Sequence, residues 1–222
     1  MQPDPTRPPV EAVCFDFGGV FIDSPFAATA AAAEQLGIPA DELLELVFGD
    51  YHRDGDHPWH RLERGEISFE DANAAIAELA LAAGHEGVQP IDVLLALAGG
   101  YQVRDFMVDL VRDLRERGIR TGIITNNIAE FGTMWRSMIP VDELFDDVVD
   151  SSEVAIRKPD PAIYLLACER LGVAPEATLF IDDHEGNVAA AAAVGMGAVW
   201  AGYSWESAEA AANSLRAMAG AG

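Results

Sequence analysis

Short apolar runs mark this chain near its start and again through its second half, and between them apolar residues recur at helical spacing. The first run, residues 10–17, is broken only by Glu11 and Asp16, the pattern of a buried strand that ends on a carboxylate. Gly18 and Gly19 follow, so the backbone there can turn sharply and come close to a ligand. Ser24-Pro25 reads as an N-cap with proline at the first helical position, opening a helix over 26–36 that stops at Gly37. A second helix starts at Pro39 with Asp41 and Glu42 in its first turn, where acids suit the helix dipole, and ends near Gly49. Residues 50–60 read as irregular and hold His52, His57, Trp59 and His60. Ser68-Phe69-Glu70-Asp71 resembles a capping box that opens a helix to about Ala83, and residues 91–98 predict one more short helix. The whole stretch 25–100 is therefore expected to be an inserted helical cap domain, with 1–24 and 101–222 forming the core domain.

From Val103 onward strands and helices alternate. Val103, Phe106, Met107, Leu110, Val111 and Leu114 lie on one helical face closed by Gly118. Strands are expected over 119–125, around 148–149, over 178–181 and over 198–201. Helices are expected over 130–137, from Pro161 to Leu171 with Asp160 as N-cap, from Glu185 to Gly195, and over 205–219. Alternation of this kind predicts an α/β fold, a Rossmann-like doubly wound parallel sheet carrying the α-helical cap as an insertion.

Composition narrows the class. Half of the 222 residues are hydrophobic, enough for a large core, while no apolar run reaches the length of a membrane span. The proline-rich leader, residues 2–9, has no apolar segment of a secretory signal and reads as a loose tail. Cys14 and Cys168 fall in buried elements without metal-ligand spacing, the usage of a reduced, cytoplasmic protein. With 37 acidic against 14 basic residues the net charge is −23, which repels phosphate backbones and disfavours nucleic-acid partners. An anionic substrate would need concentrated positive charge at the site, from a lysine or a divalent cation.

Candidate chemistry gathers at the strand ends. Asp16, Thr125-Asn126 and Asp182-Asp183 all follow predicted strands, and Lys158 lies on a loop before a helix. In a parallel sheet these ends share one edge, so residues distant in sequence can converge there. Taken singly each has an ordinary explanation: a β-branched strand residue, a solvated lysine, aspartates that cap helices.

The segments Phe15-Asp16-Phe17-Gly18-Gly19-Val20, Ile124-Thr125-Asn126, Arg157-Lys158-Pro159-Asp160 and Ile181-Asp182-Asp183-His184-Glu185-Gly186-Asn187 resemble, in order, the four motifs of the haloacid dehalogenase superfamily. The resemblance implies a hydrolase, a phosphatase that acts on a small phosphorylated metabolite. It implies Asp16 as nucleophile forming an aspartyl-phosphate, and Mg²⁺ held by Asp16, Asp183 and the Gly18 carbonyl, with Asp182 helping directly or through water. It further implies Thr125 and Asn126 on the phosphate, Lys158 neutralising charge, and Asn187 orienting Lys158 or a metal-bound water.

One position departs from the pattern. Most phosphatases of the superfamily have a second aspartate two residues after the nucleophile as general acid and base, and here that residue is Gly18. Such help is worth roughly a hundred- to ten-thousand-fold in rate. Three readings follow. A phosphatase would favour a substrate with a good leaving group, such as a sugar 1-phosphate; the Gly18 pattern and residues 59–68 are similar to bacterial sugar-1-phosphate phosphatases, and His60 is then the candidate cap residue for substrate contact or proton donation. A 2-haloacid dehalogenase needs no metal, but adjacent Asp182 and Asp183 would repel Asp16 without a cation. The third reading is a non-catalytic phosphate-binding regulatory module.

Overall fold

A computed structural model describes residues 8–88 and 102–220. Its centre is one parallel sheet of β1 (Ala12–Phe15), β2 (Arg120–Thr125), β3 (Asp147–Asp150), β4 (Thr178–Asp182) and β5 (Gly197–Trp200), ordered β3-β2-β1-β4-β5. Chain order runs outward in both directions from β1, so the connections leave opposite faces and a crevice opens between the ends of β1 and β4. Asp16 follows β1 and Asp182 ends β4, which puts carboxylates on both lips of that crevice.

Both faces of the sheet are covered, which explains why its strands read as unbroken apolar runs. Successive residues point to opposite faces. Val13 and Phe15 join Leu110, Ile123, Leu179 and Leu215 under α5 (Asp105–Glu116) and α11 (Trp205–Ala219). Cys14 joins Ile124, Tyr164, Cys168 and Phe180 under α9 (Pro161–Leu171) and α10 (Glu185–Ala193). The two cysteines are buried free thiols, as expected.

Between β1 and β2 lie α1 (Pro25–Leu36), α2 (Ala40–Phe48), α3 (Pro58–Glu63) and α4 (Phe69–Ala82). These form the inserted helical cap, with an apolar centre of its own in Leu43, Val47, Phe48, Trp59, Leu62 and Ile76, against which Ile128 packs from the core side. Ser68 caps α4 by accepting from the Asp71 N–H at 3.1 Å. The expected helix at 91–98 lies outside the described residues. Among those that are described, no helix is long and apolar enough to cross a membrane.

Several boundaries differ from the sequence expectation. β1 is confined to Ala12–Phe15 rather than 10–17, because its neighbours pair with only those four residues. The stretch 50–60 is not wholly irregular: Pro58 starts α3, and the His57 side chain accepts from the Trp59 N–H. One helix over 130–137 is replaced by a 3₁₀ turn, Ala129–Phe131, and α6 (Gly132–Arg136). Two four-residue helices, α7 (Val141–Leu144) and α8 (Ser151–Val154), are too short to show a periodicity.

Cap and core are joined by a buried ion pair. Arg157 Nε donates to Glu63 Oε2 at 2.7 Å, and the two side chains are 0% and 3% exposed. The Tyr51 hydroxyl and Trp59 Nε1 donate to Glu63 Oε1 at 2.6 and 2.9 Å, and the Arg157 guanidinium lies over the Tyr51 ring at 4.6 Å. Removing one partner of such a pair leaves an uncompensated buried charge. Glu63→Ala is therefore expected to lower unfolding free energy by about 3–5 kcal/mol, more than Glu63→Gln, when both are compared with wild type by urea denaturation.

Candidate active site

The Lys158 ammonium is the centre of the site. Its Nζ lies 2.8 Å from Asp16 Oδ1 and 2.7 Å from Asp182 Oδ2, and its side chain is 1% exposed. Burial opposes the lysine charge, yet Asp16 and Asp182 together raise its pKa above the ordinary value. Its main chain is fixed by Asn126, whose Oδ1 accepts from the Lys158 N–H at 2.8 Å while Nδ2 donates to the Lys158 carbonyl at 3.0 Å. Asn126, expected on the phosphate, thus spends its amide on positioning Lys158, although it also lines the adjoining cavity.

Asp182 is equally committed. Its Oδ1 accepts from the His184 N–H at 2.7 Å, and Asn187 Nδ2 lies 3.1 Å from each of its oxygens. Asn187 therefore reaches Lys158 only through Asp182. Tyr164 holds the Asn187 carbonyl in turn, at 3.0 Å.

Asp16 and Asp183 are the carboxylates left facing open chemistry. Asp16 Oδ1 also accepts from the Phe17 N–H at 2.7 Å. Burial lifts the Asp16 carboxyl to about 7, a rise that Lys158 restrains and Asp182 adds to. Burial also raises Asp183 well above the carboxylate range, reinforced by Asp182 and Asp16 and opposed by a hydrogen bond from Ser24. Oxygens of Asp16, Asp182 and Asp183 lie within 4.8 Å of one another, and buried Asp183 Oδ2 has no hydrogen-bond partner. A hard divalent cation fits this donor set: it would supply positive charge that Lys158 alone does not, and give the orphaned oxygen a partner.

The turn after β1 fits tightly beneath Asp183. Gly19 has φ +71°, and a Cβ there would stand 2.0 Å from Asp183 Oδ2. Buried Arg104 donates to the Gly19 carbonyl, lies 3.7 Å from Asp23 and stacks 5.9 Å from the centre of the Trp205 ring. Trp200 Nε1 fixes the Asp183 carbonyl at 2.7 Å. Gly18 and buried Thr125 form a rim shared with a mainly apolar cavity between core and cap.

His60 does not line that cavity. It is buried near His57 and Arg157, and desolvation with those two neighbours lowers its pKa to about 4, so near neutrality it is the neutral imidazole rather than the imidazolium that a general acid requires. Tyr51 and Glu63 stand at the cavity instead, with Arg157 behind them. Sequence reasoning passed over Tyr51 and Arg104 and gave no role to Glu63 or Arg157, although both lie in segments that it singled out, since nothing in their spacing betrays a pairing between them. Gly19 was legible as a turn, though not as the seat of Asp183.

The sequence matches haloacid dehalogenase-like hydrolases over residues 10–195, and the chain belongs to that family of enzymes. It is 30% identical over 215 residues to a phosphoglycolate phosphatase of Escherichia coli O157:H7, covering 90% of this chain and 84% of that one. It is 32% identical over 190 residues to acyl-CoA dehydrogenase family member 10 of Mus musculus, covering 83% of this chain but only 17% of that longer protein. Its fold resembles a HAD-family enzyme of Bacteroides thetaiotaomicron crystallised with magnesium and inorganic phosphate, with TM-score 0.60, 21% identity, and 88% and 97% of the two chains covered.

Two outcomes test this geometry. Gly19→Ala is expected to lower stability by about 1–3 kcal/mol in chemical denaturation, from positive-φ strain and collision with Asp183. For His60 the folded pKa of about 4 lies below the ordinary 6.5, so between these values the unfolded chain binds the extra proton. Stability should fall as pH is lowered through that window, and His60→Phe should show a shallower fall in melting temperature.

Proposed function

We propose that the protein is a Mg²⁺-dependent phosphatase that acts on a small phosphorylated metabolite through an aspartyl-phosphate at Asp16. One observation carries the reading: the Asp16 and Asp182 carboxylates meet on Lys158 at 2.8 and 2.7 Å, with the unpartnered Asp183 Oδ2 beside them. The phosphatase relatives and the solved neighbour bearing magnesium and phosphate support it.

In this reading Asp16, Asp183 and the Gly18 carbonyl hold Mg²⁺, and Asp182 acts mainly as the anchor of Lys158. When bound, the ion supplies the charge that lets an anionic nucleophile approach an anionic phosphate. Asp16 attacks phosphorus while Lys158, released in part from Asp16, faces the charge that spreads over the phosphoryl oxygens. Thr125, the last residue of β2 and on the cavity beside Gly18, holds one of them in this reading. Asn126 and Asn187 are positioning residues, acting through the Lys158 main chain and through Asp182. Residues 25–100 are the cap domain that closes over the site, and 1–24 with 101–222 the core domain; closure screens the attack of Asp16 on phosphorus from bulk solvent, and water is admitted for the hydrolysis that follows.

A haloacid dehalogenase fits less well. Its carboxylate substrate would need a cation in the cavity, whereas the described lining includes Asp23 and Glu63 and no lysine or arginine.

Phosphate release from acetyl phosphate is expected to require Mg²⁺, to stop in EDTA, and to drop by about a thousandfold or more in Asp16→Asn. Halide release from 2-chloropropionate in EDTA would favour the dehalogenase. No turnover of either, with phosphate raising the melting temperature, would leave a binding module.

A further inference from the structure

We propose that the cavity beside Gly18 receives the leaving group of an aryl phosphate, the monophosphate ester of an apolar phenol. This deepens the phosphatase reading and rests on it.

Size is the first argument. The cavity holds about 130 Å³, close to the ~150 Å³ of an apolar protein cavity that takes up benzene. Its walls are the second. Phe48 and Trp59 come from the cap; Ile128, Phe131, Trp135 and Met138 come from the segment after β2. Such a lining offers a flat ring contact on several sides, with the ring faces and edges that aromatic neighbours favour.

The side-chain polar atoms of Tyr51, Glu63, Asn126 and Asn127 at this cavity are the third argument, because they are already engaged with other protein groups. Glu63 Oε1 takes Tyr51 and Trp59 at 2.6 and 2.9 Å, and its Oε2 takes Arg157 at 2.7 Å. Asn126 is held on the Lys158 main chain, and Asn127 Oδ1 accepts from the Ile128 N–H at 2.8 Å. A sugar entering here would give up water at each hydroxyl and find few partners in exchange. A carboxylate or second phosphate on the leaving side would meet Asp23 and Glu63 and no lining cation among the described residues.

Gly18 supplies the fourth. It lines the cavity, so a leaving oxygen directed that way emerges at a residue with no side chain to protonate it. The carboxylates there face arginines, Asp23 towards Arg104 and Glu63 towards Arg157. An alcohol that is stable as its anion needs no such proton. As Asp16 forms its bond to phosphorus, the bond from phosphorus to the phenolic oxygen breaks and that oxygen departs with the electron pair, taking its proton from solvent. Water then hydrolyses the aspartyl-phosphate, releasing inorganic phosphate and restoring Asp16. An aromatic ring thus satisfies both the cavity and the missing acid.

The test compares kcat/KM with Mg²⁺ for phenyl phosphate, cyclohexyl phosphate, glucose 1-phosphate and acetyl phosphate. Phenyl phosphate is expected to exceed glucose 1-phosphate and cyclohexyl phosphate by on the order of tenfold or more. Phe131→Ser should reduce the phenyl-to-acetyl ratio by about fivefold or more, a readout that leaving-group acidity alone would not move. Glucose 1-phosphate or cyclohexyl phosphate turned over as well as phenyl phosphate would overturn the proposal. So would an unchanged phenyl-to-acetyl ratio in a folded Phe131→Ser. If acetyl phosphate is still cleaved in an Asp16-dependent way, only the aryl assignment falls; if none of the four is, the phosphatase reading falls with it.

Discussion

A single buried ammonium holds this site together. Lysine is seldom withdrawn from water so completely, because its desolvation is expensive unless opposite charge is fixed around it. Lys158 is compensated by two carboxylates from two different strand ends, Asp16 after β1 and Asp182 in β4. That demand propagates outward. Asp182 needs the His184 N–H and Asn187 to remain in place, and the Lys158 main chain needs Asn126 from the end of β2. Three strands are thereby registered around one nitrogen, and the crevice where the sheet reverses its winding becomes a charged centre.

The neighbouring space is divided by chemistry. On one side three carboxylates crowd within 4.8 Å under a turn that only a residue without a side chain can form. On the other a mainly apolar chamber is roofed by the cap, with Tyr51 and Trp59 tied to Glu63 and Asn126 tied to the Lys158 main chain. Gly18 and Thr125 mark the boundary. With a net charge of −23 over the whole chain, the surface offers little attraction to an anionic ester, so recognition falls to this short-range arrangement.

Much of this was legible in the sequence. Strand ends in a parallel sheet share an edge, so Asp16, Thr125, Lys158, Asp182 and Asp183 could all be assigned to it; Asp16 and Asp182 meet on Lys158, Asp183 lies within 4.8 Å of both carboxylates, and Thr125 lines the cavity beside Gly18. What each does locally was less accessible. Asn126 read as a contact to phosphate, but its amide is used on the Lys158 main chain; Asn187, read as orienting Lys158 or a metal-bound water, bonds Asp182, which in turn holds Lys158. His60 stood out as a titratable group in the cap, but its burial beside Arg157 and away from the cavity lining could not be read from the sequence. Arg104 drew no notice, and Arg157 was quoted only as part of the Lys158 motif, because long charged side chains are ordinarily solvated; only the fold shows that these two are enclosed. The four-residue helices α7 and α8 were missed for a simpler reason, since one turn has no period.

Arg157 and Lys158 are adjacent in sequence, but one reaches Glu63 in the cap and the other reaches Asp16 and Asp182 in the core. The peptide between them is common to both attachments. The helical insertion is consequently not an interchangeable lid: its identity at position 63 is tied to the loop that delivers the ammonium. Divergence toward other substrates is freest on the cavity walls, whereas Glu63 and Arg157 must change as a pair or not at all.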